Sequence, residues 1–403
     1  MDSALNSFSH MIGTALLLTV ILAAVLTGII LLLVLLAAHR AWRHFRIRRF
    51  DALSLKIHGR WREIVRGTIP PETWRKKSQQ CEIVQSIVIQ EISAATDKDR
   101  AGLQEFLRAS GLLDRCILRV HDGRGWIRRR AMLALGAMRV PEAIWPLSEA
   151  LDDWQLDTRM IAVQALGFSC LVEAAEPIIE RHTRGRLKVP SEAVANALVR
   201  CFLYQPETIL PHLRRSEGES RDLLARVASE LATPGMVDEM ILLAKDPRPE
   251  VRACAGRALA VAPVPLAIPA LGNLVHDEIW FVRLRAVSSL NQIRHPRGIP
   301  ALLDALRDPN RQVRIRASAA LAKFEHENVK ILESIVCSHD RYALYAMTSA
   351  IGLAGGFEKV MAQLADPSLQ EETTAHLLDA LREGAADAWT RRPADPVPES
   401  AFP

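Results

Sequence analysis

Aromatic residues are scarce in this chain. Of its 403 residues only 5% are Phe, Trp or Tyr, and Tyr occurs three times, although 49% are hydrophobic. The apolar mass is therefore Leu, Ala, Ile and Val, a helical mixture poor in aromatic strand formers. Patterned cysteines are lacking as well. Cys81, Cys116, Cys170, Cys201, Cys254 and Cys337 stand singly with no CxxC pair, which argues against a zinc site or a disulfide framework and for reduced core residues on apolar helix faces. Catalytic signatures are missing too: there is no HExxH, GxSxG, Walker-type loop or GxGxxG, and the 12 histidines contain no i, i+4 pair. No catalytic residue, cofactor or metal is assigned on these grounds, although a site assembled from distant segments escapes such a scan.

Charge is absent from Met11 to Ala38, a run with ten Leu, four Ile and three Val. At about 1.5 Å per residue it reaches roughly 42 Å, more than the roughly 30 Å hydrocarbon core of a bilayer, so a transmembrane helix over 11–38 is expected, with some tilt. A cleaved signal peptide needs a basic leader and a shorter apolar core, whereas residues 1–10 hold Asp2 and no Lys or Arg. The formal net charge of +5 and the pI near 9.0 owe much to the collar that follows the run: His39, Arg40, Arg43, His44, Arg46, Arg48 and Arg49. Five arginines after the helix and none before it place residues 1–10 outside and everything beyond Arg40 in the cytoplasm of a cell inner (plasma) membrane. Trp42, Phe45 and Phe50 alternate with Arg40, Arg43, Arg46, Arg48 and Arg49, as expected at a membrane interface. Ala24 and Gly28 make a small-xxx-small pair too common in such segments to indicate a dimer.

Self-similarity at an offset of 31 residues organises the rest. Asp246, Asp277 and Asp308 open DPRPEVR, DEIWFVR and DPNRQVR, and the same offset relates Arg252, Arg283 and Arg314, then Ala255, Ala286 and Ala317, then Leu259, Leu290 and Leu321. Asp122 and Asp153, Arg128 and Arg159, Ala131 and Ala162, and Leu135 and Leu166 repeat it earlier and in the same frame. The poorer blocks near Arg184 and Arg215 therefore keep the length without net insertion. Each block reads as a helical hairpin: Asp caps the first helix, Val, Ala and Leu form its apolar stripe, and Pro141, Pro234, Pro265 or Pro296 starts the second. A lone hairpin cannot bury its stripe, so the units must stack.

At these residues the sequence resembles HEAT repeats, in the short variety found in phycobilin lyases and many bacterial scaffolds. The resemblance covers about residues 122–325 and implies an all-α fold, an α-solenoid of helical hairpins. The expected organisation is an N-terminus (1–10), a transmembrane helix (11–38), a basic juxtamembrane helix and linker (39–71) broken at Thr68 to Pro71, divergent or capping helices (72–121), repeats (122–325), divergent C-terminal repeats (326–382) and a disordered tail (383–403). The segment beginning at Arg341 is about one residue out of frame.

The strict period of the Asp and Arg marks them as structural, serving every repeat alike. Trp126, Trp154 and Trp280, near helix starts, are expected to pack in the core or between repeats. Arginines surplus to the period, Arg129, Arg130, Arg214, Arg215, Arg285 and Arg316, are the candidates for a partner surface. The function expected is a membrane-anchored scaffold, not an enzyme, that binds a protein partner at the cytoplasmic face, in an envelope or polysaccharide-export assembly. No small-molecule substrate is identified. A bilin lyase or isomerase is the alternative that the resemblance implies, although fold does not carry function; a nucleic-acid binder is disfavoured by the tether and by charge concentrated beside the bilayer.

Overall fold

The computed structural model describes residues 26–45, 48, 51–52, 55, 59, 78–122, 125–365, 375, 377–379 and 381–382. Among the described residues every regular element is an α-helix or a short 3-10 turn, and there is no strand. The chain divides into two units, Met1–Arg119 and Val120–Pro403.

The first unit contains α1 (Leu26–Phe45), whose 20 residues span about 30 Å. Its large apolar side chains are exposed on every side, Leu31 and Leu35 by 61% and 59%. With no polar face to offer water, it is long and apolar enough to cross a membrane. The helix continues unbroken through Arg40, Trp42, Arg43 and Phe45, so the basic collar begins on the same rod as the apolar run. Arg48 is also helical and exposed. Residues 11–25 of the expected span, together with Arg46, Arg49, the break at Thr68 to Pro71 and the segment from 383 onward, lie outside the described residues. Farther along, α2 (Ser78–Ala94) and α3 (Asp97–Ala109) pack on each other. Val84, Val88, Ile92 and Leu107 are fully buried. The helix α4 (Leu112–Asp122) follows.

The second unit is a stack of hairpins. In order they are α5 (Gly125–Ala137) with α6 (Ile144–Glu149), α7 (Leu156–Ser169) with α8 (Ala175–Thr183), α9 (Ser191–Phe202) with α10 (Leu210–Arg215), and α11 (Gly218–Glu230) with α12 (Val237–Leu243). Then come α13 (Pro249–Ala258) with α14 (Val264–Leu274), α15 (Trp280–Ile293) with α16 (Ile299–Ala305), α17 (Arg311–Leu321) with α18 (Asn328–Cys337), and α19 (Arg341–Leu353) with α20 (Phe357–Leu364). Each first helix packs against the first helices before and after it, and the second helices α6 to α18 lie mainly against the first helix of the following hairpin.

The repeated apolar positions are what this stacking covers. Leu135, Leu166, Leu259 and Leu321 have no exposed surface and Leu290 has 2%; burying a leucine of this kind stabilises by about 1.5–3 kcal/mol. Ala162, Ala286 and Ala317 are fully buried between neighbouring first helices. Close approach is tightest at Gly136, where a Cβ would lie 2.1 Å from the Ala165 carbonyl oxygen, and at Gly167, 2.8 Å from Ala197 Cα. Pro141, Pro234 and Pro296 each open a 3-10 turn leading into the second helix, and Pro265 sits in the first turn of α14, positions where a missing N–H costs nothing.

One expectation is corrected in detail. The repeated aspartates do not cap the first helices directly. Asp246 and Asp277 accept the N–H of Arg248 and Ile279 at 2.9 Å, and Asp308 that of Asn310 at 2.7 Å; the acceptors thus close a turn just ahead of the helix, and Arg248, Ile279 and Asn310 occupy the N-cap. At α19 the aspartate is a true cap: Asp340 accepts from Tyr342 and Ala343 at 3.0 and 3.1 Å, one residue beyond the 31-residue frame.

Candidate partner-binding surface

The periodic charges are spent between repeats. Arg252 Nε and Nη2 donate to Asp277 at 2.6 and 2.9 Å, and Arg283 makes the same pair of bonds to Asp308 at 2.5 and 2.9 Å. Arg221 donates twice to Asp246, at 2.8 and 2.7 Å, and Arg128 once to Asp153 at 2.6 Å. The Nη1 of Arg252 also holds the carbonyls of Asp246 and Pro247 in its own repeat, at 3.0 and 3.1 Å. Each guanidinium therefore bridges two hairpins. Burial acts to raise the Asp277 carboxyl, but Arg252 and the Ile279 amide outweigh it and hold the group below the ordinary carboxylate range; Asp153 is lowered against burial in the same way by the Gln155 amide and Arg128. Charge-assisted, two-pronged bonds of this kind fix orientation as well as distance, so the ladder sets the pitch of the stack.

The surplus arginines are dispersed over it. Arg129 and Arg130 lie on α5, Arg130 exposed and Arg129 within 3.5 Å of Asp157 on α7. Arg285 and Arg316 occupy equivalent turns of the neighbouring helices α15 and α17, the first exposed and the second half-buried. Between these two groups the equivalent positions are Ile161, Glu192, Leu223 and Cys254, so no continuous basic stripe joins them. Arg214 and Arg215 end the second helix α10 instead; Arg215 is exposed, while Arg214 grips the buried Glu239 with bonds of 3.1 and 3.0 Å from its Nε. In the first unit, Trp42 and Phe45 are exposed beside Arg40 and Arg43 on α1.

The tryptophans depart from expectation. Trp126, Trp154 and Trp280 are 63%, 84% and 42% exposed, not packed in the core or between repeats. The close helix-to-helix contacts are filled by Ala and Gly, which leaves no room for an indole, so the large rings are turned outward. Trp145, on α6, is 70% exposed. Tyr204, 61% exposed, lies under the Arg139 guanidinium at 6.0 Å and accepts its hydrogen bond at 3.3 Å. Trp145 and Tyr204 were not singled out from sequence, where a lone aromatic reads equally as inward or outward facing.

Polar chemistry of other kinds is sparse. Among the described residues no group of three His, Cys, Asp or Glu is arranged to hold a metal. Two open grooves lie between second helices, one of about 260 Å³ lined by Ile241, Lys245, Leu266 and Pro269, the other of about 190 Å³ lined by Leu303, Asp304, Arg307 and Ser334. Cys116 and Cys201 are buried as expected, Cys170 and Cys254 half-buried, and Cys337 exposed; burial pushes the Cys201 thiol up to about 12 and those of Cys116 and Cys254 to about 11.

Comparison with known proteins agrees with the repeat architecture. Residues 237–322 match the family model for HEAT repeats, and residues 127–153 the model for the PBS lyase HEAT-like repeat. No curated protein matches the sequence significantly. Similar solved structures include an engineered protein (18% identity, 79% of this chain and 98% of that one, TM-score 0.34). They also include Escherichia coli YibA (16% identity, 76% and 98%, TM-score 0.32). A third is the CpcE–CpcF complex of phycocyanin lyase from Nostoc (21% identity, 54% and 92%, TM-score 0.24). All three scores fall below 0.5, so the solenoid assignment rests on the chain's own stacked hairpins and on the family models.

Proposed function

We propose that this chain, whose array is built of HEAT repeats, is a membrane-anchored scaffold that holds a protein partner at the cytoplasmic face of a cell inner membrane. The observation that carries this reading is the turning outward of Trp126, Trp145 and Trp154 from an array in which Arg128, Arg221, Arg252 and Arg283 are already paired with aspartates. Large aromatics exposed on a rigid framework are the residue type that anchors protein interfaces. The dispersed arginines Arg129, Arg130, Arg214, Arg215, Arg285 and Arg316 are further candidate contacts, and α1 with Arg40, Trp42, Arg43, Phe45, Arg46, Arg48 and Arg49 supplies the tether. An envelope or polysaccharide-export assembly is the setting we assign to it.

Crosslinking in intact membranes, with a photoreactive residue placed at Trp145 or Trp154, tests the proposal. A discrete protein adduct is expected that is lost when the crosslinker is moved to the buried stack. No adduct under several growth conditions removes the reading. The competing reading, a bilin lyase, is favoured only by the repeat type matched at residues 127–153; purified chain that neither binds a bilin nor absorbs visible light eliminates it.

A further inference from the structure

Four junctions of the stack are closed by an arginine of one repeat gripping the aspartate that opens the next: Arg128 with Asp153, Arg221 with Asp246, Arg252 with Asp277 and Arg283 with Asp308. At the junction between α7 and α9 the arginine is present and the aspartate is not. Arg159 Nη1 holds the carbonyls of Asp153 and Trp154 at 2.8 and 3.1 Å, as Arg252 holds those of its own repeat. The residue standing three before the next first helix, Asp246 before Pro249 or Asp277 before Trp280, is here Lys188 before Ser191. The loop after Thr183 is longer than its counterparts and is basic at Arg184, Arg186 and Lys188, all exposed.

Arg159 is left short of acceptors. Its Nη2 finds only the Lys188 carbonyl at 3.1 Å. Its Nε, the atom that in Arg252 donates to Asp277, is buried with no partner. An unsatisfied buried donor on a charged group is costly. The Asp153 carboxylate feels the Arg159 charge but is hydrogen-bonded to Arg128 at 2.6 Å. Trp154, whose carbonyl Arg159 holds, exposes 84% of its surface.

The geometry points to this junction as the docking site for a carboxylate-bearing segment of the partner protein. This inference rests on the partner-binding reading above and deepens it. An incoming Asp or Glu displaces the Lys188 carbonyl and takes Nη2 and Nε of Arg159 together, the two donors that Asp277 takes from Arg252. Arg186 and Lys188 draw the acidic segment in, and an apolar neighbour in that segment covers Trp154. A carboxylate is preferred to a phosphate because two sister junctions, Arg252 with Asp277 and Arg283 with Asp308, show this slot accepting both oxygens of a planar carboxylate.

The experiment measures fluorescence anisotropy of a dye-labelled peptide alternating Glu and Leu, with a Lys and Leu peptide as control, on the full chain in detergent micelles. The acidic peptide is expected to bind and the basic one not. Both Lys188→Asp, which supplies the missing carboxylate from the chain itself, and the pair Arg186→Glu with Lys188→Glu should weaken binding by about tenfold or more, whereas Arg285→Glu with Arg316→Glu should change it by less than about twofold. Circular dichroism confirms that each variant is folded, and Lys188→Asp is expected to raise the unfolding temperature. The inference is overturned if wild type does not bind, if both double variants lose binding equally, or if Lys188→Asp leaves binding unchanged. It is also overturned if phosphatidylglycerol vesicles freed of the α1 insertion effect by comparison with neutral vesicles bind through Arg186 and Lys188 while the peptide does not. A partner crosslinked through another face, with no peptide binding here, sinks this site and leaves the scaffold standing; loss of both removes the scaffold reading itself.

Discussion

Replacing Arg252 with methionine removes the donors of one rung while keeping the length and packing of the stem. The Asp277 side chain is 8% exposed and that of Arg252 16%. After the change Asp277 retains the Ile279 amide at 2.9 Å as its neutral donor, and the Asp246 and Pro247 carbonyls lose theirs. Breaking a buried pair from one side costs about 3–5 kcal/mol because a charge is stranded. The surviving amide bond and the partly wet rim place this case lower, at about 2–3 kcal/mol. Adding Asp277→Asn removes the stranded charge, so the double variant should recover to within about 1 kcal/mol of wild type, with a coupling of at least about 1–2 kcal/mol between the sites. Because a repeat array sums its nearest-neighbour interfaces, the loss should surface as local opening before global unfolding. Hydrogen exchange of the α13 and α15 amides in the full chain, beside a urea titration, reads both. A single-variant cost under about 0.5 kcal/mol, or no coupling, would refute the idea that the ladder sets the stack.

Other outcomes follow from the same geometry. The folded-state carboxyls of Asp153 and Asp277 are held low, so their contribution is fully present above the unfolded value of about 3.9 and is lost as pH falls through the lower folded values; unfolding temperature against pH should be flat for this term near neutrality and fall in acid, less so in Asp277→Asn. Gly136→Ala should destabilise by about 1–3 kcal/mol, since its Cβ meets the Ala165 carbonyl at 2.1 Å, whereas Gly272→Ala, with open space around it, should be neutral or gain about 0.5–1 kcal/mol in chemical denaturation. Trp154→Ala should leave stability within about 0.5 kcal/mol while abolishing the partner adduct in membrane crosslinking. Iodoacetamide in mildly alkaline buffer, followed by peptide mass mapping, should modify Cys337 first and Cys201 last among the described cysteines, as exposure and a thiol pushed up to about 12 require.

The apolar run ending in a basic collar, the 31-residue period and the hairpin it encodes were all readable along the chain, because each depends on local spacing: a helical stripe, a proline at a helix start, a run without charge. Even the shift of one residue in the segment beginning at Arg341 was visible. The partners of the repeated charges were not. The period says that Arg252 recurs, but that it reaches Asp277 in the next hairpin follows from how α13 packs on α15, a contact between residues 25 apart in sequence. The tryptophans show the same limit. Their helix-start positions suggest burial in the core or between repeats, and only the tightness of the Ala and Gly contacts between first helices turns them out. In the sequence the block near Arg184 keeps the 31-residue length, so neither the longer basic loop from Arg184 to Lys188 nor the loss of Arg159's carboxylate shows there. Local periodicity determines which elements form and how often; which charge meets which, and which side chains are left over for a partner, is decided when the hairpins stack, because packing fixes the distances on which ion pairs and exposure depend.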